Sequence, residues 1–206
     1  MERAIDTLPI DGGWLALNFI NTISHRTEDE ENPFDYLSSY SVFISWAKRI
    51  KLLKHSYLEK LETRASKKPL DAAKSWIHVI EVRELLYRIF YAVHQSAEID
   101  IKDQRKWNQW LKKAQNRQFM LFDDGPIIRW KLPENDLDGP LYIIIMSARD
   151  LLLSEKLGRV KECNSCGWLF LDQSKNKSRR WCRMETCGSQ VKARNYYHRK
   201  KLAVTQ

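Results

Sequence analysis

Four cysteines are the residues of this chain whose type and spacing most directly indicate chemistry. Cys163 and Cys166 are separated by two residues, Cys182 and Cys187 by four, and fifteen residues lie between the two pairs. Two close pairs joined by a short loop can place four thiolates at the corners of a tetrahedron around one metal ion. Because four thiolates fill the shell and leave no position for water, the spacing predicts one Zn²⁺ with a structural role.

Other uses of these cysteines are two disulfides, an iron–sulfur cluster or four unrelated thiols. The opening residues 1–6 contain no apolar signal-peptide core, and the first 162 residues contain no cysteine. Disulfides are characteristic of exported proteins, so we interpret the four cysteines as metal ligands of a cytoplasmic protein. No apolar run has the length of a membrane span, and we therefore expect no membrane partner.

The positive charge of the chain is concentrated around the cysteines. Residues 159–201 hold twelve Lys and Arg against three Asp and Glu, which accounts for the whole net charge of +9. The remaining residues hold 23 basic and 23 acidic side chains. Such asymmetry indicates a polyanion partner, and we expect DNA. The alternative is a solvated basic tail.

Two stretches of this segment supply candidate nucleic-acid contacts, because Lys and Arg neutralise phosphates and aromatic rings can stack on bases. One is the loop between the cysteine pairs, and the other is one side of a helix predicted after Cys187. The candidates are Lys175, Lys177, Arg179, Arg180, Lys192, Tyr196, Arg199 and Lys200. Another stripe of the same helix is expected to pack on the metal site, and it consists of Val191, Asn195, His198 and Leu202.

The cysteine segment resembles the CGNR zinc-finger family of bacterial proteins. The matching stretches are Phe170-Leu171-Asp172-Gln173-Ser174, Arg179-Arg180-Trp181-Cys182-Arg183-Met184 and Cys187-Gly188. The chain departs from the family at Ser189-Gln190, where the family has Asn-Arg, and this removes a phosphate or structural contact. Leu17-Asn18-Phe19-Ile20-Asn21-Thr22 is similar to the opening of the helical ABATE domain that precedes the finger in that family. The resemblance implies a DNA-binding transcriptional regulator.

Hydrophobic periodicity predicts a mainly α (α+β) protein of two parts. Residues 1–158 form a helical ABATE-like domain, with helices expected within residues 14–23, 34–50, 57–64, 69–96, 100–118 and 141–157. Residues 119–122 and 127–130, around an Asp-Asp-Gly-Pro turn, predict a small β-hairpin. Residues 159–206 form a treble-clef-like zinc finger in the order knuckle, hairpin, helix.

Arg83 lies in the middle of the apolar face of the predicted helix over residues 69–96. A buried guanidinium needs a partner, which is either an internal carboxylate or a small anionic ligand held bidentately. On the first helix Asn18, Asn21 and Thr22 fall at i, i+3 and i+4, where they orient such a ligand or cap neighbouring backbone. The ligand hypothesis assigns these four residues to one sensor site.

The five histidines are scattered, and the sequence contains neither a catalytic constellation nor a Gly-rich phosphate loop, so we expect no enzyme. The function favoured is DNA-binding transcriptional regulation controlled by a small anionic ligand. The alternatives are an RNA- or protein-interaction accessory protein and an enzyme that uses the finger as a tether. A homodimer is left open.

Overall fold

Most of the chain folds into α-helices, as the periodicity predicts. The computed structural model describes residues 5–27 and 32–204, without the side chains of residues 195, 197–199 and 201–204. Its elements are α1 (Leu15–Ile20), α2 (Tyr40–Arg49), α3 (His55–Lys67), α4 (Pro69–His94), α5 (Ile101–Gln115), β1 (Gln118–Phe122), β2 (Pro126–Trp130), α6 (Gly139–Leu152), β3 (Val160–Glu162), β4 (Leu169–Leu171) and α7 (Ser189–Val204). Every helix within these residues is too short or too polar to span a bilayer. The mainly α fold class is confirmed.

The first two helices are shorter than predicted. Ile23 and Asp35 form an isolated antiparallel bridge, so α1 ends at Ile20 and the chain before α2 is extended. Helix α2 begins after Ser39, whose hydroxyl accepts a hydrogen bond of 3.3 Å from the Val42 N–H. A serine in this position satisfies a backbone donor that has no partner within the helix, which fixes the helix start.

The core is built on α4 and α6. Helix α6 was expected to be the buried central helix, and this is confirmed, since Leu141, Ile144, Ile145 and Leu151 are fully buried. It packs on α1 and α5, while α4 packs on α1, α2, α3, α5 and both strands of the β3–β4 hairpin. Each such buried aliphatic side chain stabilises the fold by roughly 1.5–3 kcal/mol.

Two separate β-hairpins accompany the helices. The predicted hairpin is confirmed, with β1 antiparallel to β2, Met120 opposite Ile128, and Gly125 at a φ of +135° in the turn. The second hairpin pairs β3 with β4. We expected it to follow the cysteine knuckle, but its strands lie on either side of Cys163 and Cys166, because the knuckle itself forms the connection between them.

A buried ion network links α4 to the extended segment before α2. Arg83 is 2% exposed, and its two terminal nitrogens donate to the two carboxylate oxygens of Asp35 at 2.7 Å. Its Nε donates to Glu84 at 2.8 Å, and Glu84 also accepts from Arg26 at 2.6 Å. Burial alone lowers the pKa of Arg83, but the hydrogen bond and charge of Asp35 and the charge of Glu84 outweigh it, so the net pKa is raised. The partner of Arg83 is therefore an internal carboxylate.

Replacing Arg83 by Met keeps the aliphatic bulk and removes the charge. We expect Arg83→Met to lower the free energy of unfolding by about 3 kcal/mol, because Glu84 and Asp35 lose a buried partner. Asp35 is partly exposed and can rehydrate, which places the loss at the low end of the range for buried pairs. Urea denaturation followed by circular dichroism measures it.

The matched control is Arg88→Met on the same helix. Arg88 forms the same bidentate arrangement with Asp103, at 2.7 Å for both bonds, but its side chain is 49% exposed. An exposed pair contributes about 0–1 kcal/mol, so this variant should unfold near the wild-type midpoint. Equal losses for the two variants would contradict a special role for the Arg83 network.

Candidate metal centre and basic surface

The four predicted ligands converge. The Sγ atoms of Cys163, Cys166, Cys182 and Cys187 all lie within 4.8 Å of one another, and all four side chains are buried. The Cys166–Cys182 and Cys182–Cys187 sulfur separations are 3.7 and 3.6 Å. A disulfide needs about 2.05 Å, whereas thiolates bound tetrahedrally to zinc at about 2.3 Å lie about 3.8 Å apart. The sulfurs thus have the separation that one Zn²⁺ requires, and the four cysteines fit one zinc ion.

The first cysteine pair is held in a tight knuckle between β3 and β4. The Cys163 N–H donates to the Trp168 carbonyl at 2.8 Å, and the Gly167 N–H donates to the Cys163 carbonyl at 2.9 Å. Gly167 has a φ of +71°, and a Cβ there would lie 2.9 Å from the backbone carbon of Arg26. A glycine is therefore needed both for the turn and for the close approach of the neighbouring segment.

The second pair is held by a turn that runs directly into α7. Met184–Gly188 forms a short π-helical turn containing Cys187, and the Ser189 hydroxyl donates to the Met184 carbonyl at 3.2 Å. A Cβ at Gly188 would lie 2.5 Å from the Met184 sulfur, so the turn packs against this position. Cys187 thus lies at the N-terminal end of a helix, where the helix dipole favours a thiolate.

The thiols also act on one another. Hydrogen bonds from Cys166, and then from Cys182 and Cys187, lower the pKa of Cys163 far below its ordinary value. The same contacts, first those with Cys163, raise the pKa of Cys166 and Cys182. A thiolate is the form that binds zinc, so full ionisation of the cluster depends on the bound cation.

Asn21 joins the metal centre to the helical part of the chain. Its side-chain amide donates to the Leu169 carbonyl at 2.8 Å and accepts from the Leu169 N–H at 3.2 Å, so it pairs with β4 as a neighbouring strand would. Asn18 accepts from the Gly12 N–H at 2.8 Å, and the Thr22 hydroxyl donates to the Phe19 carbonyl at 2.8 Å. The capping alternative describes these side chains.

The expected ligand site at Asn18, Asn21, Thr22 and Arg83 is corrected by these contacts. Each of the four side chains is hydrogen-bonded to groups of the chain itself, and Arg83 has its counter-charge in Asp35 and Glu84. The physical reason for a ligand was an unpaired buried charge, and that charge is paired. Of the four residues, Asn21 bonds the finger directly, and the other three hold α1, α4 and the segments beside them.

Further hydrogen bonds connect the metal centre to the segments on either side of α1. The Arg26 N–H donates to the Cys166 carbonyl at 2.8 Å, and the Trp168 indole donates to the Ile23 carbonyl at 2.7 Å. The Leu171 N–H donates to the Gly12 carbonyl at 2.8 Å. The cysteines belong to the same cluster of buried residues as α1 and α4. The metal centre is therefore packed on the helical part, although the sequence indicated a boundary near residue 158.

Asp172 organises the loop between the cysteine pairs. It is fully buried, and its carboxylate accepts from the Ser174 hydroxyl at 2.6 Å, the Lys161 ammonium at 2.9 Å and the Arg179 N–H at 3.0 Å. Burial raises the pKa of Asp172, but these hydrogen bonds outweigh it and hold the pKa well below its usual range. Asp172 was not among the predicted site residues. The signal that could have identified it is the Asp-x-Ser spacing, which is typical of a side chain that bonds backbone two residues later.

The structure divides the predicted nucleic-acid contacts into two groups. Lys175, Lys177 and Arg180 on the loop, and Lys192, Tyr196 and Lys200 on α7, are exposed. Arg179 is partly buried, donates to the Cys182 carbonyl and lies 4.8 Å from the Phe170 ring, so its position is structural. The side chain of Arg199 lies outside the described residues, as do those of Asn195, His198 and Leu202. Arg194, which sequence reasoning did not select, is exposed on α7.

Comparison with known families identifies what the metal centre resembles. Residues 159–200 match the model of the CGNR zinc finger family. All four clustered cysteines fall within the match, which confirms the resemblance for this segment. No curated protein matches the chain. We refer to residues 159–200 as the CGNR-like finger.

The metal centre predicts a fixed stoichiometry. Elemental analysis should find one zinc per chain, and Cys187→Ser should lower the zinc content and expose the amides of residues 182–188 to hydrogen exchange, because three thiolates no longer close the shell. Thr186→Ser is the control, since Thr186 is exposed beside Cys187. Full zinc occupancy with native exchange in Cys187→Ser would contradict this assignment.

Asp172→Asn should destabilise the CGNR-like finger. The change leaves Lys161 without its counter-ion, and we expect a loss of about 3 kcal/mol in the free energy of unfolding. Since the folded pKa of Asp172 lies below that of the unfolded chain, its contribution is present above about pH 4 and is lost as the pH falls further. Denaturant titrations from pH 8 to pH 5 should therefore show a constant difference between variant and wild type. A difference that shrinks within this range would refute the assignment.

Proposed function

We propose that this chain is a DNA-binding transcriptional regulator whose CGNR-like finger contacts the duplex. The observation that carries the proposal is the exposure of basic side chains on α7, a helix that begins two residues after the metal ligand Cys187. Lys192, Arg194 and Lys200 are exposed on it, together with Tyr196. Within the described part of the chain, the three basic side chains form no ion pair, so they can neutralise phosphates without first breaking one.

The dimensions of α7 agree with a DNA-reading role. Its sixteen residues span about 24 Å at 1.5 Å per residue, and the major groove is wide enough to admit an α-helix. Because the helix continues directly from the Cys187 turn, bound zinc would fix its direction relative to the rest of the chain. A preset direction lowers the ordering cost of binding.

The loop between the cysteine pairs supplies a second contact region in this proposal. Asp172 fixes the loop backbone from inside, while Lys175, Lys177 and Arg180 point outward. Buried order with exposed charge suits backbone contacts to phosphates, which position a protein on DNA.

In this proposal the helical part, residues 5–27 and 32–158, corresponds to the ABATE domain. We propose that it carries the finger and is not catalytic, and that the protein acts in the cytoplasm. Control by a small anionic ligand at Arg83 is not part of the proposal, because the Asp35 pair already occupies that guanidinium.

Salt dependence tests the proposed surface. Binding to duplex DNA selected from a random pool should weaken as salt rises. The triple variant Lys192→Gln, Arg194→Gln, Lys200→Gln should make the slope of log K against log salt shallower by about 0.9 for each phosphate that is no longer neutralised. Fluorescence anisotropy across a salt series measures the slope.

The control is Lys51→Gln, Lys67→Gln, Lys68→Gln, which removes the same charge from exposed positions of the helical part. It should keep the wild-type slope. Equal slopes for the two triple variants would place the polyanion surface elsewhere. Tighter binding of single-stranded RNA than of duplex in competition would favour the RNA-accessory alternative over the proposal.

A further inference from the structure

The β1–β2 hairpin exposes apolar side chains on both of its faces. Alternation along the strands and the register with Met120 opposite Ile128 place these side chains on two faces. One face carries Met120, Phe122 and Ile128, and the other carries Phe119, Leu121 and Ile127. All six are between 38% and 74% exposed. A strand pair that is apolar on both faces is the pattern of strands covered on both sides.

The exposed apolar area of the hairpin is at the upper end of what a typical monomer shows. At roughly 200 Å² per fully exposed large side chain, these six expose on the order of 600 Å². The largest apolar patch of a typical monomer is about 300–600 Å², and a stable interface buries about 800 Å² per partner. These apolar side chains mark the hairpin as an interaction surface, and pairing along one strand edge brings those of β1 into cross-strand contact with a partner strand.

The backbone shows which groups of β1 are open. The Lys131 N–H donates to the Arg117 carbonyl at 2.8 Å, just beyond the last register pair, Gln118 with Trp130. Since hydrogen-bonded pairs alternate along antiparallel strands, Phe119 and Leu121 bond to β2. The N–H and carbonyl groups of Gln118, Met120 and Phe122 then point to the open edge of β1.

The two edges of the hairpin differ in how well they are protected. The open edge of β2 starts at Pro126, which has no N–H to donate, and β2 carries the charge of Arg129. Proline and charged side chains on an edge strand prevent pairing with another strand. Strand β1 consists of Gln-Phe-Met-Leu-Phe and has neither feature. Of the two edges, that of β1 is the one suited to accept a strand.

We propose that the β1 edge pairs with the β1 edge of a second copy of this chain, antiparallel, with Met120 on the two-fold axis. The result is a four-stranded sheet in the order β2, β1, β1 and β2 across the two copies. An isologous pairing of this register places Phe119 against Leu121 of the second copy and Gln118 against Phe122. It also places Arg117 opposite Asp123 of the second copy.

The charges at the two ends of the hairpin favour a second copy of the chain over other binding partners. The turn of the hairpin is acidic, with Asp123 and Asp124, whereas its base carries Lys131 and Arg117, of which Arg117 also pairs with Asp136 at 2.7 Å. Antiparallel pairing brings the turn of one copy to the base of the other, so opposite charges meet at both ends. An anionic lipid surface would instead repel the acidic turn. The proposal does not depend on DNA binding, because it concerns the chain without nucleic acid.

The position of Met120 on the axis gives a selective test. Met120→Lys and Met120→Glu each place two like charges opposite each other, so each full-length variant should dimerise at least about tenfold more weakly than wild type. Mixed in equal amounts, the two should recover dimers that contain one chain of each. Sedimentation velocity measures the dissociation constants, and native mass spectrometry identifies the mixed dimers.

Ile128→Lys and Ile128→Glu are the matched controls. Ile128 lies on the same face and is 53% exposed, but it sits on the outer strand of the proposed sheet and does not face its own copy. A mixture of these two variants should contain no excess of mixed dimers. A wild-type chain that remains monomeric at 100-fold higher concentration than the DNA assay uses would overturn the proposal. So would Met120 variants that dimerise as wild type or whose mixture yields no excess of mixed dimers.

Discussion

The convergence of four thiolates is the constraint on which the C-terminal part of the structure depends. Between Asp172 and Gly188 the chain has no regular element apart from one short turn, so little backbone hydrogen bonding holds it in place. Structural zinc contributes about 10–16 kcal/mol in small fingers, which is comparable to the whole stability of a typical domain, about 5–15 kcal/mol. The direction of α7 therefore follows from the sulfur positions, while Asp172 holds the loop between the cysteine pairs through its hydrogen bonds.

Two layers of polar contacts attach this metal centre to the helical part. The outer layer is the pairing of Asn21 with Leu169 and the backbone bonds beside it. The inner layer is the ion network of Asp35, Arg83, Glu84 and Arg26, which holds the segment that contacts the knuckle. Arg26 belongs to both layers, since its guanidinium bonds Glu84 and its N–H bonds Cys166. Arg26 thus links the ion network directly to the cysteine knuckle.

The sequence predicts well the features that depend on residues close together along the chain. The cysteine ligands, the β1–β2 turn and the burial of α6 each follow from a pattern within one short stretch of the chain. The partner of Arg83 could not be predicted, because Asp35 lies 48 positions away in an irregular segment. Asn21 and Leu169 are 148 positions apart, and no periodicity relates them. The start of α2 could have been predicted from Ser39, because serine is a residue type that caps helices. The apolar spacing of the residues before Ser39 instead favoured an earlier start.

Part of the joint between finger and helices is made through main-chain atoms of the finger, and this bears on how the protein can evolve. The groups used on the finger include the N–H and carbonyl of Leu169, the carbonyl of Cys166 and the N–H of Leu171. Substitution of the side chain at 169 or 171 leaves those groups unchanged. Position 21, in contrast, needs one donor and one acceptor at the spacing of an amide, which aspartate cannot supply because its carboxylate has no donor. A helical part of this kind could therefore accept fingers with divergent surfaces while its own asparagine stayed fixed.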